Sequence, residues 1–288
     1  MYDLLISPFV EFDFMRRALV GTLALAFGAG PIGVFLMLRR MSLVGDAMAH
    51  AILPGAAVGF MVAGLNLFAM TAGGIIAGIV VAVLTGLVAR ATALKEDASL
   101  AAFYLLSLAL GVTIVSLKGT NVDLLHVLFG SVLALDDSTL FLIGTITSVT
   151  LAALALIYRP LVVECVDPGF LRSVGNAGAP VHLVFMALVV LNLVAGFHAL
   201  GTLLAVGLMM LPAAVARFWV RDVTTMIALA VASAMLSGLV GLLISFHAGV
   251  PSGPAIILVA GGFYAVSVLF GRVDGVLRQI FPGRHLEA

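Results

Sequence analysis

Charged side chains are scarce in this chain of 288 residues, in which Asp, Glu, Lys and Arg make up 10% and hydrophobic residues 63%. Soluble globular domains carry about 25% charged residues, so a water-exposed surface of ordinary composition is excluded. An excess of either sign is also missing, since 14 basic residues face 14 acidic ones. Nucleic-acid binding, which uses a basic stripe, is therefore not expected. The composition indicates a multi-pass protein of the lipid membrane.

Cysteine and the motifs of common enzymes are nearly absent as well. Cys165 is the single cysteine, which excludes an internal disulfide and a thiolate metal cluster. The chain has no Gly-x-x-x-x-Gly-Lys-[Ser/Thr] phosphate-binding loop, so it cannot hydrolyse ATP by that route. It also lacks a Gly-x-Ser-x-Gly elbow and a His-Glu-x-x-His helix. We therefore expect no enzyme activity and no bound cofactor.

Apolar runs, by contrast, fill most of the sequence, and nine of them approach the roughly 20 residues that a membrane-crossing helix needs. The first is too long for a signal-peptide core of about 7–15 residues and is interpreted as a retained span. Two of the later runs are short and closely joined, so we predict an all-α transmembrane bundle of eight or nine spans. The shorter run Leu124–Leu135 predicts a re-entrant or surface helix, and the bundle is expected to form one permease domain, residues 1–288. The nine runs are Ala18–Leu38, Val44–Ala63, Phe68–Ala89, Leu100–Leu117, Leu140–Tyr158, His182–Phe197, Leu200–Ala216, Thr225–Phe246 and Pro254–Phe270.

The few charges cluster between these runs and predict the orientation in the membrane. Arg39 and Arg40 follow the first run, and the polar stretch from Arg159 to Arg172 follows the fifth. The loops Gly64–Leu67 and His247–Gly253 have no Lys or Arg. The positive-inside rule places the Arg-bearing loops in the cytoplasm. With nine spans these assignments alternate and leave the N-terminus outside and the C-terminus inside.

Asp46 and His50 form the most informative pair of ionisable residues. They are four residues apart at the start of the second run, so on a helix they share one face. Ionisable side chains inside a membrane are costly and usually face a cavity or the interior of the bundle. A carboxylate and an imidazole together suit a divalent ion such as Zn²⁺, Mn²⁺ or Fe²⁺. The alternative is a hydrogen-bonded pair that only fixes packing.

Other histidines offer weaker candidates. His198 lies between two short runs and is interpreted as an interfacial histidine at a turn, or as an ion-relay ligand on the outer side. His247 lies in a loop predicted to be outside, where it is either simply solvated or receives a metal at the mouth of a path. His126, His182 and His285 are interpreted as structural.

The polar loop of residues 159–180 contains the signals of a short helix. Asp167 can cap its start, Pro168 fits the first helical position and Gly175 fits the end. Such a helix on the cytoplasmic face suits docking to a soluble partner. The alternative is an ordinary connecting helix.

Several motifs in the same order resemble one known family, the membrane permease subunits of bacterial zinc, manganese and iron ABC importers (the ABC-3 family). The likeness covers nearly the whole chain and is nearest to the zinc-importing members. The motifs are Arg39-Arg40-Met41-Ser42, Gly45-Asp46, His50-Ala51, Glu96-Asp97, Asp123-Leu124, Leu128-Phe129-Gly130, Asp167 with Gly175, Gly201-Thr202-Leu203-Leu204, Leu211-Pro212-Ala213-Ala214 and Pro251-Ser252-Gly253-Pro254.

The resemblance implies a permease of the bacterial inner membrane that works by alternating access between two copies of itself. It implies cytoplasmic ATP-binding subunits as the source of energy and a periplasmic or lipid-anchored metal-binding protein that delivers the ion. Zinc is the expected cargo, with manganese or iron as alternatives. The implied metal-path residues are Asp46 and His50, with His247 and His198 as weaker candidates. The residues implied in coupling to the ATPase are Glu164, Asp167, Arg172 and Gly175.

One position departs from the family pattern. The family has an Asp two residues before the Pro-x-Gly-Pro motif, whereas this chain has Gly249, with His247 two residues earlier. We expect His247 to take the place of that Asp in receiving the ion.

Alternative transport mechanisms also fit the residues. A proton-coupled secondary transporter would use Asp46 as its proton carrier. An ABC permease for a larger metal chelate or cofactor would need a wide cavity and would depend less on Asp46 and His50. A membrane enzyme or receptor with its own metal site would call for two or three His residues close in sequence, which the chain lacks.

Overall fold

A computed structural model describes residues 5–64, 66–94, 96–117, 135–167, 178–273 and 275–280. This part of the chain is all-α, as predicted, with no strand among the described residues. Its helices are α1 Ser7–Glu11, α2 Asp13–Leu38, α3 Val44–Ala51, α4 Leu53–Ala63, α5 Leu67–Ala91, α6 Glu96–Leu117, α7 Asp137–Val166, α8 Gly178–Leu200, α9 Thr202–Arg217, α10 Val223–Ala248, α11 Ser252–Phe270 and α12 Val276–Ile280.

Each of the nine predicted membrane-crossing runs is helical in the structure. Within the described ranges, eight spans are long and apolar enough to cross a membrane, one of them formed by α3 and α4 together. The remaining run, Leu200–Ala216, corresponds to α9, which has 16 residues and is shorter than a full span. Most of the run Leu124–Leu135, predicted as a short helix, lies outside the described residues.

Some helices extend beyond the apolar runs predicted from sequence, because polar residues at the end of a run continue the helix. α2 begins at Asp13 rather than Ala18, because the polar turn that contains Arg16 and Arg17 is helical too. The loop predicted from His247 to Gly253 is wrong at its start, since α10 continues to Ala248 and Gly249 ends it in the left-handed conformation (φ 64°). Hydropathy detects the lipid-facing part of a helix, and it does not detect a helical extension into water.

The second span is broken at Ile52, between α3 and α4. Pro54 lies in the first turn of α4. Proline has no backbone N–H, so the carbonyl of His50 lacks the donor that a continuous helix would supply four residues later. The helix is therefore interrupted between α3 and α4, although Ile52 keeps helical backbone angles (φ −73°, ψ −28°) and the two segments together form one span.

Contacts at the helix ends agree with the predicted orientation. Arg39 after α2, Glu164 at the end of α7 and His182 near the start of α8 meet at one end of the bundle. Arg17 and Asp137, at the opposite ends of α2 and α7, form an ion pair of 3.1 Å. The ends predicted to be cytoplasmic are therefore together, and we call this the inner end and the other the outer end.

Small residues bring the helices close together. A Cβ added to Gly55 of α4 would collide with the backbone of Gly73 in α5, and one added to Gly33 of α2 would collide with the carbonyl of Met209 in α9. The Gly-x-x-x-Gly pattern at Gly55 and Gly59 thus marks a true helix contact, as such patterns often do in membranes. This packing fixes the neighbours of α3 and leaves little room for adjustment.

Candidate functional site

Helix α3 is buried except where its two ionisable side chains lie. Six of its eight residues are buried, whereas the Asp46 side chain is 68% exposed and that of His50 is 29% exposed. His50 Nε2 lies 3.9 Å from Asp46 Oδ1. The predicted shared face is therefore present, with the carboxylate and the imidazole one helical turn apart and too far apart for a hydrogen bond.

This face lies within the depth of the bundle rather than at its rim. Gly45 packs against Met209 of α9, and Ile52 packs against Gly74 and Gly78 near the middle of α5. Asp46 and His50 lie between these two levels. A charged group at this depth of a membrane protein needs water or a polar partner to offset its desolvation.

The His50 ring is held from its other side by apolar and aromatic neighbours. Its Nδ1 atom is buried and has no hydrogen-bond partner, and its ring centroid lies 6.2 Å from that of Tyr104 in α6. The unpaired Nδ1 leaves the tautomer unfixed, while Nε2 faces the carboxylate. His50 can therefore offer Nε2 to an ion that also contacts Asp46.

The pair is an incomplete metal site in a single copy of the chain. No group of three or more His, Cys, Asp or Glu side chains comes together within the ranges that the structure describes. A closed zinc site takes four ligands. Two side-chain ligands from one copy suit transient binding, or a site that a second copy completes.

His247 lies apart from this pair, and for His198 the structure describes the backbone alone. His247 is in the last turn of α10 at the outer end, exposed, and its Nδ1 donates to the carbonyl of Leu243 at 2.9 Å. That bond leaves Nε2 as the nitrogen a metal would use. The backbone of His198 is in the last turn of α8, not in a turn between helices, because the junction is at Gly201 (φ 82°); its side chain lies outside the described residues.

The position that departs from the family motif has a local structural reason. Gly249 ends α10 in the left-handed conformation, and a Cβ there would meet no atom within 4 Å. Glycine is the usual residue at this place because it has no steric penalty there. The role of His247 in place of the family Asp stays a prediction.

The residues predicted to couple to an ATPase are found in different surroundings. Glu164 is largely buried at the inner end, with 12% of its side chain exposed, and its Oε1 accepts from Arg39 Nη2 at 3.1 Å. Asp167 is exposed and follows the last residue of α7. Arg172 and Gly175, and the helix predicted to start after Asp167, lie outside the described residues.

Sequence reasoning missed the buried role of Arg39. Its Nη2 also lies 2.6 Å from Nδ1 of His182, and its guanidinium carbon lies 5.4 Å from the centre of the Phe185 ring. In the sequence, Arg39 marks the cytoplasmic side and belongs to a family motif, and neither observation predicts this contact. One signal was available, since Arg39, Glu164 and His182 each lie at a helix end that the alternating orientation places on the same side.

Comparisons with known proteins agree with this architecture. The model of the ABC 3 transport family matches residues 11–271. The manganese transport system membrane protein MntC of Halalkalibacterium halodurans is 32% identical over 276 residues, which cover 96% of this chain and 93% of MntC. The chelated iron transport system membrane protein YfeD of Yersinia pestis is 28% identical, over 96% of this chain and 91% of YfeD.

A solved structure shares the fold over nearly the whole chain. The structure of PsaBC from Streptococcus pneumoniae in complex with Fab matches with a TM-score of 0.85 and 28% sequence identity, over 97% of this chain and 100% of the matched one. A family match over most of the sequence, with the same helical architecture, agrees with the motif order along the chain. This chain is a membrane protein of the ABC 3 transport family.

Proposed function

We propose that this chain is the permease through which an ATP-driven importer moves a divalent transition-metal ion, and that the ion passes Asp46 and His50 between two copies of the chain. The observation that carries the proposal is the exposure of Asp46. Its side chain is 68% exposed on a helix that is otherwise buried within the bundle. His50, 3.9 Å away, supplies a second ligand of the kind that such ions accept.

The exposure of Asp46 argues for a second copy. A carboxylate facing lipid at this depth costs several kcal/mol, about 2.5–3.5 kcal/mol on insertion scales for an Asp at the centre of a span. A facing copy removes that cost by enclosing a polar path around the carboxylates. Two copies related by a two-fold axis would bring two Asp46–His50 pairs together, and these would supply four ligands where one copy has two.

Manganese is the first candidate for the cargo. One relative described above is named for manganese and the other for chelated iron. Carboxylate oxygens such as those of Asp46 suit Mn²⁺. Zinc, the metal favoured from the sequence, is named by neither relative and stands behind manganese and iron.

Energy and delivery would come from other chains. Family membership makes the chain the membrane part of an ABC-type transporter, and it has no phosphate-binding loop of its own. Cytoplasmic ATP-binding subunits would dock at the inner end, near Asp167. A metal-binding protein outside would release the ion at the outer end, where His247 lies.

Uptake of radiolabelled Mn²⁺ into vesicles that contain the assembled transporter tests the proposal. We expect Asp46→Asn and His50→Gln each to reduce uptake at least about tenfold, because each removes one ligand and a lost metal ligand or its support typically costs 10–100-fold. Asp137→Asn, a change of the same chemistry at the exposed outer end, is the matched control and should transport like the parent. Competition of unlabelled Fe²⁺ and Zn²⁺ with the labelled Mn²⁺ shows which of the three ions the transporter prefers.

The same assay separates the alternatives. Normal uptake by both the Asp46 and the His50 variant would remove these residues from the path and favour a larger chelate as cargo. Uptake that persists without ATP and stops when the proton gradient is dissipated would support the proton-coupled transporter instead.

The second copy has its own test. In a Cys165→Ser background, Leu43→Cys places a thiol on a side chain that is 79% exposed, three residues before Asp46. Oxidation should join two copies through this position. A Leu156→Cys control, on a side chain of α7 that is 83% exposed, should not cross-link.

A further inference from the structure

The geometry points to Arg39, Glu164 and His182 as positioning residues for α3. Their contacts connect the turn before α3, the helix that carries Asp46 and His50, to the inner ends of α7 and α8. We call these three residues the inner cluster. The inference rests on the proposed function, because it assigns the inner cluster a task in transport through Asp46 and His50.

The inner cluster is a buried charge network rather than a surface ion pair. The Arg39 and Glu164 side chains are 11% and 12% exposed, and His182 is 8% exposed. A single nitrogen, Arg39 Nη2, contacts both Glu164 Oε1 at 3.1 Å and His182 Nδ1 at 2.6 Å. The guanidinium also faces the ring of Phe185. Three helices therefore converge on one side chain.

Arg39 is the first residue after α2, so its position controls the turn into α3. The next residue, Arg40, has φ 58°, a left-handed conformation that is uncommon for any residue other than glycine. The turn closes with a hydrogen bond from the Met41 N–H to the Leu36 carbonyl at 2.8 Å. α3 begins at Val44. A shift of the Arg39 side chain is thus transmitted through a four-residue turn to the helix that carries Asp46.

The hydrogen bonding of the inner cluster is unfinished, which gives it a second available arrangement. Arg39 Nη1 and Glu164 Oε2 are both buried and have no hydrogen-bond partner. Arginine and a carboxylate commonly form a two-pronged pair that uses both nitrogens and both oxygens. A small rotation that forms the second bond would draw α7 toward the turn after α2. The structure shows the single-bond arrangement, and a two-pronged one would be a second discrete state of the kind that can carry coupling between distant sites.

A double variant separates positioning from mere support of the fold. Arg39→Leu with Glu164→Leu removes both charges, and apolar replacement of a buried pair is often neutral or stabilising. In vesicles that hold the variant with its ATP-binding subunits, we measure Mn²⁺ uptake, ATP hydrolysis and the melting temperature. We expect a parent-like melting temperature and continued ATP hydrolysis, with ions moved per ATP reduced about tenfold, within the range of coupling effects from such residues.

The outer ion pair supplies the matched control. Arg17→Gln with Asp137→Asn removes a pair that joins the same two helices, α2 and α7, at the same 3.1 Å distance. This variant should keep the parent ratio of ions to ATP. A parent ratio in the double Leu variant as well would overturn the positioning role and leave the inner cluster a support of the fold.

The conservative variant Arg39→Lys decides the question if the double variant fails to assemble. Lysine keeps the charge but cannot form the planar two-pronged pair. A reduced ion-to-ATP ratio at a parent-like melting temperature supports the inference, and a parent ratio overturns it. The parent transporter tests the proposed function separately. If it moves no Mn²⁺, Fe²⁺ or Zn²⁺, the proposed function is wrong, whatever the variants do.

Discussion

Two ion pairs connect α2 and the residue after it to α7, one at each end of the bundle. They have the same nitrogen–oxygen distance but differ in burial and in neighbouring residues. Arg39–Glu164 at the inner end and Arg17–Asp137 at the outer end both measure 3.1 Å between nitrogen and oxygen. The inner pair is 11% and 12% exposed, whereas the outer pair is 43% and 82% exposed. Distance alone therefore does not rank their importance.

Burial and neighbours distinguish the two pairs. The inner pair is shared with His182 and stands next to the turn that leads to α3, while the outer pair stands at the solvated end of the bundle. The attraction within an exposed ion pair is screened by water, so the pair contributes little to stability. Removing one partner of a buried pair leaves the other charge buried and uncompensated, which is strongly destabilising. The inner end of this protein thus holds a buried, shared ion pair, whereas the outer end holds an exposed one.

The largest effect should come from breaking the close packing of the inner half. Gly33→Ala would place a methyl group against the carbonyl of Met209. Overpacking costs typically about 1–3 kcal/mol and occasionally more, and we expect a cost above about 3 kcal/mol here because the obstacle is backbone, which cannot move aside as a flexible side chain can. We expect a strong loss of assembled transporter, measured by size-exclusion chromatography in detergent. Gly144→Ala is the control, because a Cβ at Gly144 in α7 meets nothing within 4 Å. Equal yields for the two variants would contradict the packing described here.

The second-largest effect is the loss of stability when the inner ion pair is broken, which can be compared directly with breaking the outer pair. Glu164→Gln leaves the Arg39 charge buried without its counterion, which should cost about 3 kcal/mol. Asp137→Asn at the outer end should cost less than about 1 kcal/mol, since exposed pairs contribute little. Thermal unfolding of the purified chain in detergent, followed through Trp219, measures both. Similar shifts in melting temperature for both variants would remove the contrast between the ends.

The smallest effect is acid-dependent and belongs to the outer end. Hydrogen bonds from Ser138 and Thr139 lower the pKa of Asp136, at the N-cap of α7, from 3.8 to about 2. A lowered pKa stabilises the folded state above pH 4, and this contribution is lost as the pH falls from about 4 toward 2. Asp136→Asn keeps a capping oxygen but does not titrate, so near pH 7 it should lose only part of the ~1 kcal/mol worth of the cap. The difference in melting temperature from the parent should shrink as the pH falls to 3, and a constant difference would contradict this role.

The fold was accessible from sequence where lipid dictates the pattern. The apolar runs predicted the helices, because a spanning segment must be both long and apolar. The break at Ile52 was not predicted from hydropathy, which is unchanged across Pro54. The extension of α2 back to Asp13 was missed because a helix leaving the membrane becomes polar without ending.

Within the candidate site, too, contacts between residues close in sequence could be predicted, and contacts between distant helices could not. Asp46 and His50 could be paired from sequence because four residues make one helical turn. Glu164 was assigned to a polar loop and, through the family resemblance, to coupling with the ATPase. Its contact with Arg39 was missed because Arg39 is 125 residues away and no local pattern encodes such a contact. The ring of Tyr104 beside His50 comes from a different helix and was missed for the same reason.

The most direct test of the central claim is a structure of the assembled transporter, determined by electron cryomicroscopy with Mn²⁺ present. The account predicts two copies of this chain with both Asp46 carboxylates and both His50 rings facing one passage along the axis between them. Asp46 side chains turned toward lipid, or separated from the partner copy by intact helices, would contradict it.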